Sequence, residues 1–163
     1  MLFGCVNGSC DMQRCFEDYF SEYQADMISV CLEYAEKRID VVYVYCSYEN
    51  KRISCDFFYE IAGQLVAKHQ LNTLPQAKER PWDVSLTRQI AALRTLSDDV
   101  QKLIALCDSR QCEVPSEIKI IYNVDKNNLV ANYKYGPVYS MHSGKGPDNI
   151  VEEWFAELSA QQF

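Results

Sequence analysis

The sequence is poor in several features that would have named a function. No apolar run approaches the roughly 18 residues needed to cross a bilayer, so no membrane-spanning helix is expected. The opening, MLFGCVNGSC, has no basic start and no apolar core region, so it does not read as a secretory signal, and LFGC lacks the apolar segment that a lipoprotein box needs. Cationic surplus is missing too: net charge is −7, with 16 Lys and Arg against 23 Asp and Glu. Binding DNA or RNA needs a basic face to displace counterions from phosphates, and none is offered. Histidine is scarce, with only His69 and His142. Serine-hydrolase, zincin, dinucleotide and phosphate-loop signatures are absent.

Cysteine is plentiful, at eight of 163 residues, but its spacing is uninformative. Structural zinc favours cysteine pairs two to four residues apart in sets of four. Cys5, Cys10 and Cys15, and Cys107 with Cys112, have four residues between neighbours, and no two-residue knuckle occurs. No metal and no cofactor is expected. Without an export signal, and with 48% hydrophobic residues to build a core, the thiols are expected to be reduced and the compartment to be the cytoplasm.

The chain is long enough for one domain with one core. Residues 1–15 read as a leader, possibly disordered, and residues 16–163 as a single unit. From Phe16 to Arg38 the apolar residues Phe16, Phe20, Tyr23, Met27, Cys31 (or Val30) and Tyr34 recur at helical spacing, and Lys37 and Arg38 suit the helix's C-terminal end. VYVYCSYENKRISCDFFYEI then alternates with period two on both sides of Asn50-Lys51, which predicts a hairpin. Its register sets Val42 opposite Tyr59, Val44 opposite Phe57, Cys46 opposite Cys55 and Tyr48 opposite Ile53, all on one face. Cys46 and Cys55 therefore read as small apolar members of a wall. A third short strand, QLVAKHQL, is expected at 64–71.

Asp83 is placed to cap a helix to about Cys107, with Leu86, Ile90, Leu93, Val100 and Ile104 as its buried stripe. A second hairpin, EIKIIYNV-DKNN-LVANYKYG, follows, and Pro147 opens a last amphipathic helix carrying Ile150, Val151, Trp154, Phe155 and Leu158. The order helix, strands, helix, hairpin, helix predicts an α+β fold, an antiparallel meander sheet with helices packed on one side.

Charge is concentrated at the front: residues 1–60 hold 11 acidic against 5 basic side chains, while 61–163 hold 12 against 11. On the first helix Asp18, Glu22, Asp26, Glu33 and Glu36 lie opposite the apolar stripe, with no Lys or Arg among them. Such a row is either a solvated face or a docking surface for a basic partner, where complementary charge speeds encounter. Tyr43 and Tyr45 point away from the first hairpin's core face and are expected beside that surface, since Tyr is enriched at binding hot spots.

This series of elements resembles the YezG-type bacterial immunity proteins over roughly residues 16–160. It is carried by the leading helix, VVYVYCSYENKRISCDFFYEI, the mid-chain helix, IKIIYNVDKNNLVANYKYG and the closing VEEWFAEL. The turn Asp-Lys-Asn-Asn departs from the expected Asp-Gly type, and the cysteine-bearing leader has no counterpart. The resemblance implies a cytoplasmic inhibitor that is not an enzyme and that neutralises a polymorphic or contact-dependent toxin. That partner would often be a nuclease, with a basic groove that an acidic face covers. A monomer is expected. A small acidic secretion chaperone for an effector is the alternative.

Overall fold

The structure is a computed structural model that describes residues 2–162, with side chains from residue 17 onward. The expected leader, residues 1–15, lies outside the residues whose side chains are described. In chain order the elements are α1 (Leu2–Tyr34), β1 (Val41–Glu49), β2 (Arg52–Ile61), β3 (Gln64–Ala67), α2 (Leu86–Ser109), β4 (Glu117–Asn123), β5 (Asn128–Lys134) and α3 (Pro147–Ala160). Two short 3-10 turns, Lys68–Thr73 and Pro75–Ala77, follow β3.

The strands form one antiparallel five-stranded sheet in the order β3-β2-β1-β4-β5. The α+β class read from the sequence is the fold observed. In the first hairpin Asn50 and Lys51 both take left-handed backbone, φ 51° and 62°, which is the two-residue turn whose twist matches its strands. That turn fixes the register: Val42 faces Tyr59, Val44 faces Phe57, Cys46 faces Cys55 and Tyr48 faces Ile53, the pairs the alternation demanded.

The sheet is covered on both sides, which corrects the expectation of helices on one side. Val42, Val44, Cys46, Phe57, Tyr59, Ile118 and Ile120 pack under α1 and α2, with Met27, Cys31, Leu96, Val100 and Leu103. The opposite face carries a second core of Val41, Tyr43, Tyr45, Phe58 and Leu65 beneath Ile150, Val151 and Trp154 of α3. Each large side chain so enclosed contributes roughly 2 kcal/mol of hydrophobic stabilisation.

Boundaries moved where the backbone departs from helix. Lys37 and Glu36 both have positive φ, 59° and 57°, and the Lys37 amide donates to the Leu32 carbonyl at 2.7 Å. That closing turn stops α1 at Tyr34 rather than Arg38. α2 begins at Leu86 with Ser85 as its cap, its hydroxyl accepting from the Arg88 amide, while Asp83 accepts from the Ser85 amide one step earlier. Its buried residues are Ala92, Leu96, Asp99, Val100, Leu103 and Cys107, whereas Leu86 is 70% exposed and Ile90 41%. The stripe is thus turned relative to the one expected, and it contains an aspartate.

A buried carboxylate also secures the chain between β5 and α3. Glu49, 7% exposed at the end of β1, accepts from the Val138 amide at 2.8 Å, the Tyr139 amide at 3.2 Å and the Ser140 hydroxyl at 2.9 Å. This clasp seats Tyr139, whose hydroxyl lies 3.4 Å from that of Ser47, against the sheet.

Candidate functional site

At 100° per residue, Asp18, Glu22, Asp26 and Glu33 fall within an arc of about 80° on α1. All four are exposed, and among the described residues none forms an ion pair with Lys or Arg. The row therefore presents uncompensated negative potential on the side of α1 turned away from the sheet.

Glu36 does not belong to it. The helix has ended before this residue, and its carboxylate is met by Arg80 at 3.2 Å and Arg38 at 3.6 Å. Tyr43 and Tyr45 are corrected more sharply. Tyr43 is buried, stacked on Phe58 with ring centroids 4.9 Å apart and edge-on to Trp154 at 5.7 Å. Tyr45 is fully buried, and its hydroxyl donates to Glu117 Oε2 at 3.4 Å. Both do point away from the first core face, but α3 covers the face they point to. The exposed aromatic beside the row is Tyr19, 46% exposed. It flanks a shallow depression of about 310 Å³ that Tyr23, Lys102, Ala105, Leu106 and Ser109 also line.

Where α1 meets α2, the row touches a group absent from the sequence reading. Asp99 of α2 is 1% exposed, and its carboxyl faces that of Asp26 on α1. With both carboxyls ionised Asp99 Oδ2 finds no donor, since Lys102 Nζ approaches only Oδ1, at 3.9 Å. A proton held on Asp99 solves this, because its carboxyl then donates to Asp26. Burial first, then the hydrogen bond to Asp26 and its charge, push Asp99 from 3.8 to about 7, against the opposing pull of Lys102.

Cys31, Cys46 and Cys55 pack in the first core. Cys31, Cys46, Cys55, Cys107 and Cys112 are free. Cys31 and Cys107 are held above the ordinary thiol range by burial. Cys46 and Cys55 face each other across the hairpin, and their mutual interaction, with burial, raises Cys46 while it lowers Cys55. Cys55 also accepts from the Ser97 hydroxyl at 3.9 Å. No histidine stands beside them: His69 and His142 are both exposed. Among the described residues Cys112 is the exposed thiol, 3.6 Å from the Arg110 carbonyl oxygen.

One cleft, of about 390 Å³, lies between α3 and the β2–β3 side of the sheet and is lined by Asp56, Phe58, Lys68, His69, Glu152 and Phe155. Its lysine is committed, because Lys68 Nζ lies 2.6 Å from Asp56 Oδ1. Among the described residues no three His, Cys, Asp or Glu side chains converge as metal ligands, and no helix is long and apolar enough to cross a membrane. No family model matches the chain, and no curated protein matches it.

Proposed function

We propose that the chain is a stoichiometric inhibitor, an immunity protein acting in the bacterial cytoplasm that neutralises a toxin by covering a basic surface, as on a nuclease. One observation carries this reading: Asp18, Glu22, Asp26 and Glu33 stand exposed on one arc of α1, and among the described residues none of their carboxylates is ion-paired, Arg88 donating to the backbone carbonyl of Glu33 and not to its side chain. Like charges four residues apart destabilise a helix by a few tenths of a kcal/mol per pair. A cationic companion offsets that repulsion on binding. Tyr19 supplies the aromatic contact that Tyr43 and Tyr45 cannot. The order of elements, which resembles the YezG-type immunity proteins, supports the same reading.

The test uses Asp18→Lys/Glu22→Lys, which reverses two charges and leaves the Asp26–Asp99 pair intact. Association with the toxin encoded beside the gene is followed by stopped-flow fluorescence at low and high salt. The wild type should associate fast at low salt and slow steeply as salt rises. The variant should lose about tenfold in association rate and most of that salt dependence. Equal rates and equal salt slopes would remove α1 as the contact surface.

A further inference from the structure

One sheet edge is left open, and its hydrogen-bonding parity follows from two bonds at the ends of the central pair. The Tyr48 amide donates to the Ser116 carbonyl at 2.8 Å, and the Val124 amide to the Asp40 carbonyl at 2.9 Å. Even-numbered residues of β1 and β4 therefore bond to each other. The odd-numbered residues of β4 face β5, where the register gives them Lys134, Asn132, Val130 and Asn128. The amides and carbonyls of Leu129, Ala131 and Tyr133 consequently point outward from the sheet. Among the described residues nothing bonds to them.

Among the described residues this edge carries none of the usual protections. β5 is seven residues long, has no proline, keeps an unbroken register with β4, and bears a single charge, Lys134, at its end. Leu129 is 36% exposed on the α1 face and Val130 46% on the other. The opposite edge is guarded: β3 has four residues, turns at once into the 3-10 segment Lys68–Thr73, and lies against α3.

We propose that β5 pairs antiparallel with β5 of a second copy of this chain, about a two-fold axis at Ala131. That register matches Leu129 with Tyr133 of the second copy and Ala131 with its equivalent. It is the one antiparallel register in which all three outward-facing residues find outward-facing partners, giving about six N–H···O bonds. On the α1 face it sets an aliphatic side chain opposite an aromatic one. On the other face Val130 meets Asn132 and Lys134 meets Asn128, so no like charges are opposed. The contact is isologous, so it closes at two copies and removes both open edges rather than propagating a fibre. It does not depend on the toxin-binding reading.

Sedimentation equilibrium over rising protein concentration, with Ala131→Pro beside the wild type, tests it. The Ala131 amide has no partner within one chain, and proline is tolerated on an edge strand, so circular dichroism of the variant should stay native. The wild type should move from one to two chain masses, and the variant's dissociation constant should rise at least tenfold. Residue-resolved amide exchange on the wild type gives a second reading that needs no variant. The amides of Leu129, Ala131 and Tyr133 should slow with concentration, while those of Val130 and Asn132, already bonded to β4, stay slow throughout. A wild type of single-chain mass at every concentration overturns the proposal. So does a dimer indifferent to Ala131→Pro, or protection of the three amides only when a different protein is added.

Discussion

Replacing Asp99 by asparagine should stabilise this protein at neutral and alkaline pH and do almost nothing in acid. In the folded chain Asp99 keeps its proton to about pH 7, whereas unfolded it releases it near 3.8. Above pH 3.8 the unfolded state gives up a proton that the folded state still holds. Stability therefore falls as pH rises from about 4 to about 7, and the full cost is present above that. A shift of about three units corresponds to about 4 kcal/mol. Asp26 is exposed, and solvent screening on its side reduces this to about 2 kcal/mol. Asparagine keeps the shape, carries no ionisable proton, and donates to Asp26 through its amide nitrogen at every pH.

Urea denaturation at half-unit steps from pH 4.5 to 8.5 reads this out. With a urea dependence of about 2 kcal/mol per molar, Asp99→Asn should unfold about 1 M later than the wild type at pH 8 and coincide with it near pH 4.5. The comparison matters more than either curve alone, since a chain of net charge −7 loses some stability with pH through general repulsion. A difference between the two proteins that stays constant from pH 4.5 to 8.5 would refute the proton held on Asp99. Asp26→Asn is the reciprocal experiment and should weaken the same pH dependence without abolishing it, because burial, the larger cause, remains.

The Glu49 clasp obeys the opposite sign. Burial raises this carboxyl, but the amides of Val138 and Tyr139 and the groups of Ser140 outweigh it and hold it below 4.5, so its stabilisation is lost as pH falls through the folded value. Glu49→Gln, which turns a donor toward those donors, should cost roughly 2 to 3 kcal/mol at pH 7 in the same urea assay, with a smaller penalty in acid. Trp154→Ala should cost about 3 to 5 kcal/mol, because it empties the second core between Tyr43 and Phe58, and near-ultraviolet circular dichroism should show those rings losing fixed packing.

The first hairpin was fully legible because two independent signals, alternation and a two-residue turn, agree on one register. The same segment also held the clue to its misreading. Strand β1, VVYVYCSYE, is apolar at odd positions as well as even ones in its first half. Near-continuous apolar runs mark a strand covered on both faces. Tyr43 and Tyr45 are therefore core, and helices on both sides of the sheet follow from that reading. Helix ends were harder: Glu36 and Lys37 adopt left-handed backbone without a glycine to announce it, so Glu36 stayed in the acidic row on paper and leaves it in space. Asp99 was not legible at all. Apolar periodicity places α2 roughly, but whether Leu86 and Ile90 or Leu96 and Leu103 are buried depends on where α1 lies, and the wrong choice hides the aspartate on the buried side.

The acidic row of α1 and the open edge of β5 respond to salt in opposite directions. The acidic row lies on the outer side of α1, away from the sheet, whereas the free groups of β5 point out in the plane of the sheet, so occupying one leaves the other open. Between two identical chains of −7 each, long-range repulsion opposes pairing, and salt weakens it over a screening length of about 8 Å at physiological strength. Self-association through β5 should thus tighten as salt is added. Attraction between the row and a basic partner is screened by the same ions and should weaken. A single salt titration followed by sedimentation, with and without a basic partner, therefore separates the two contacts even when both are present in one sample.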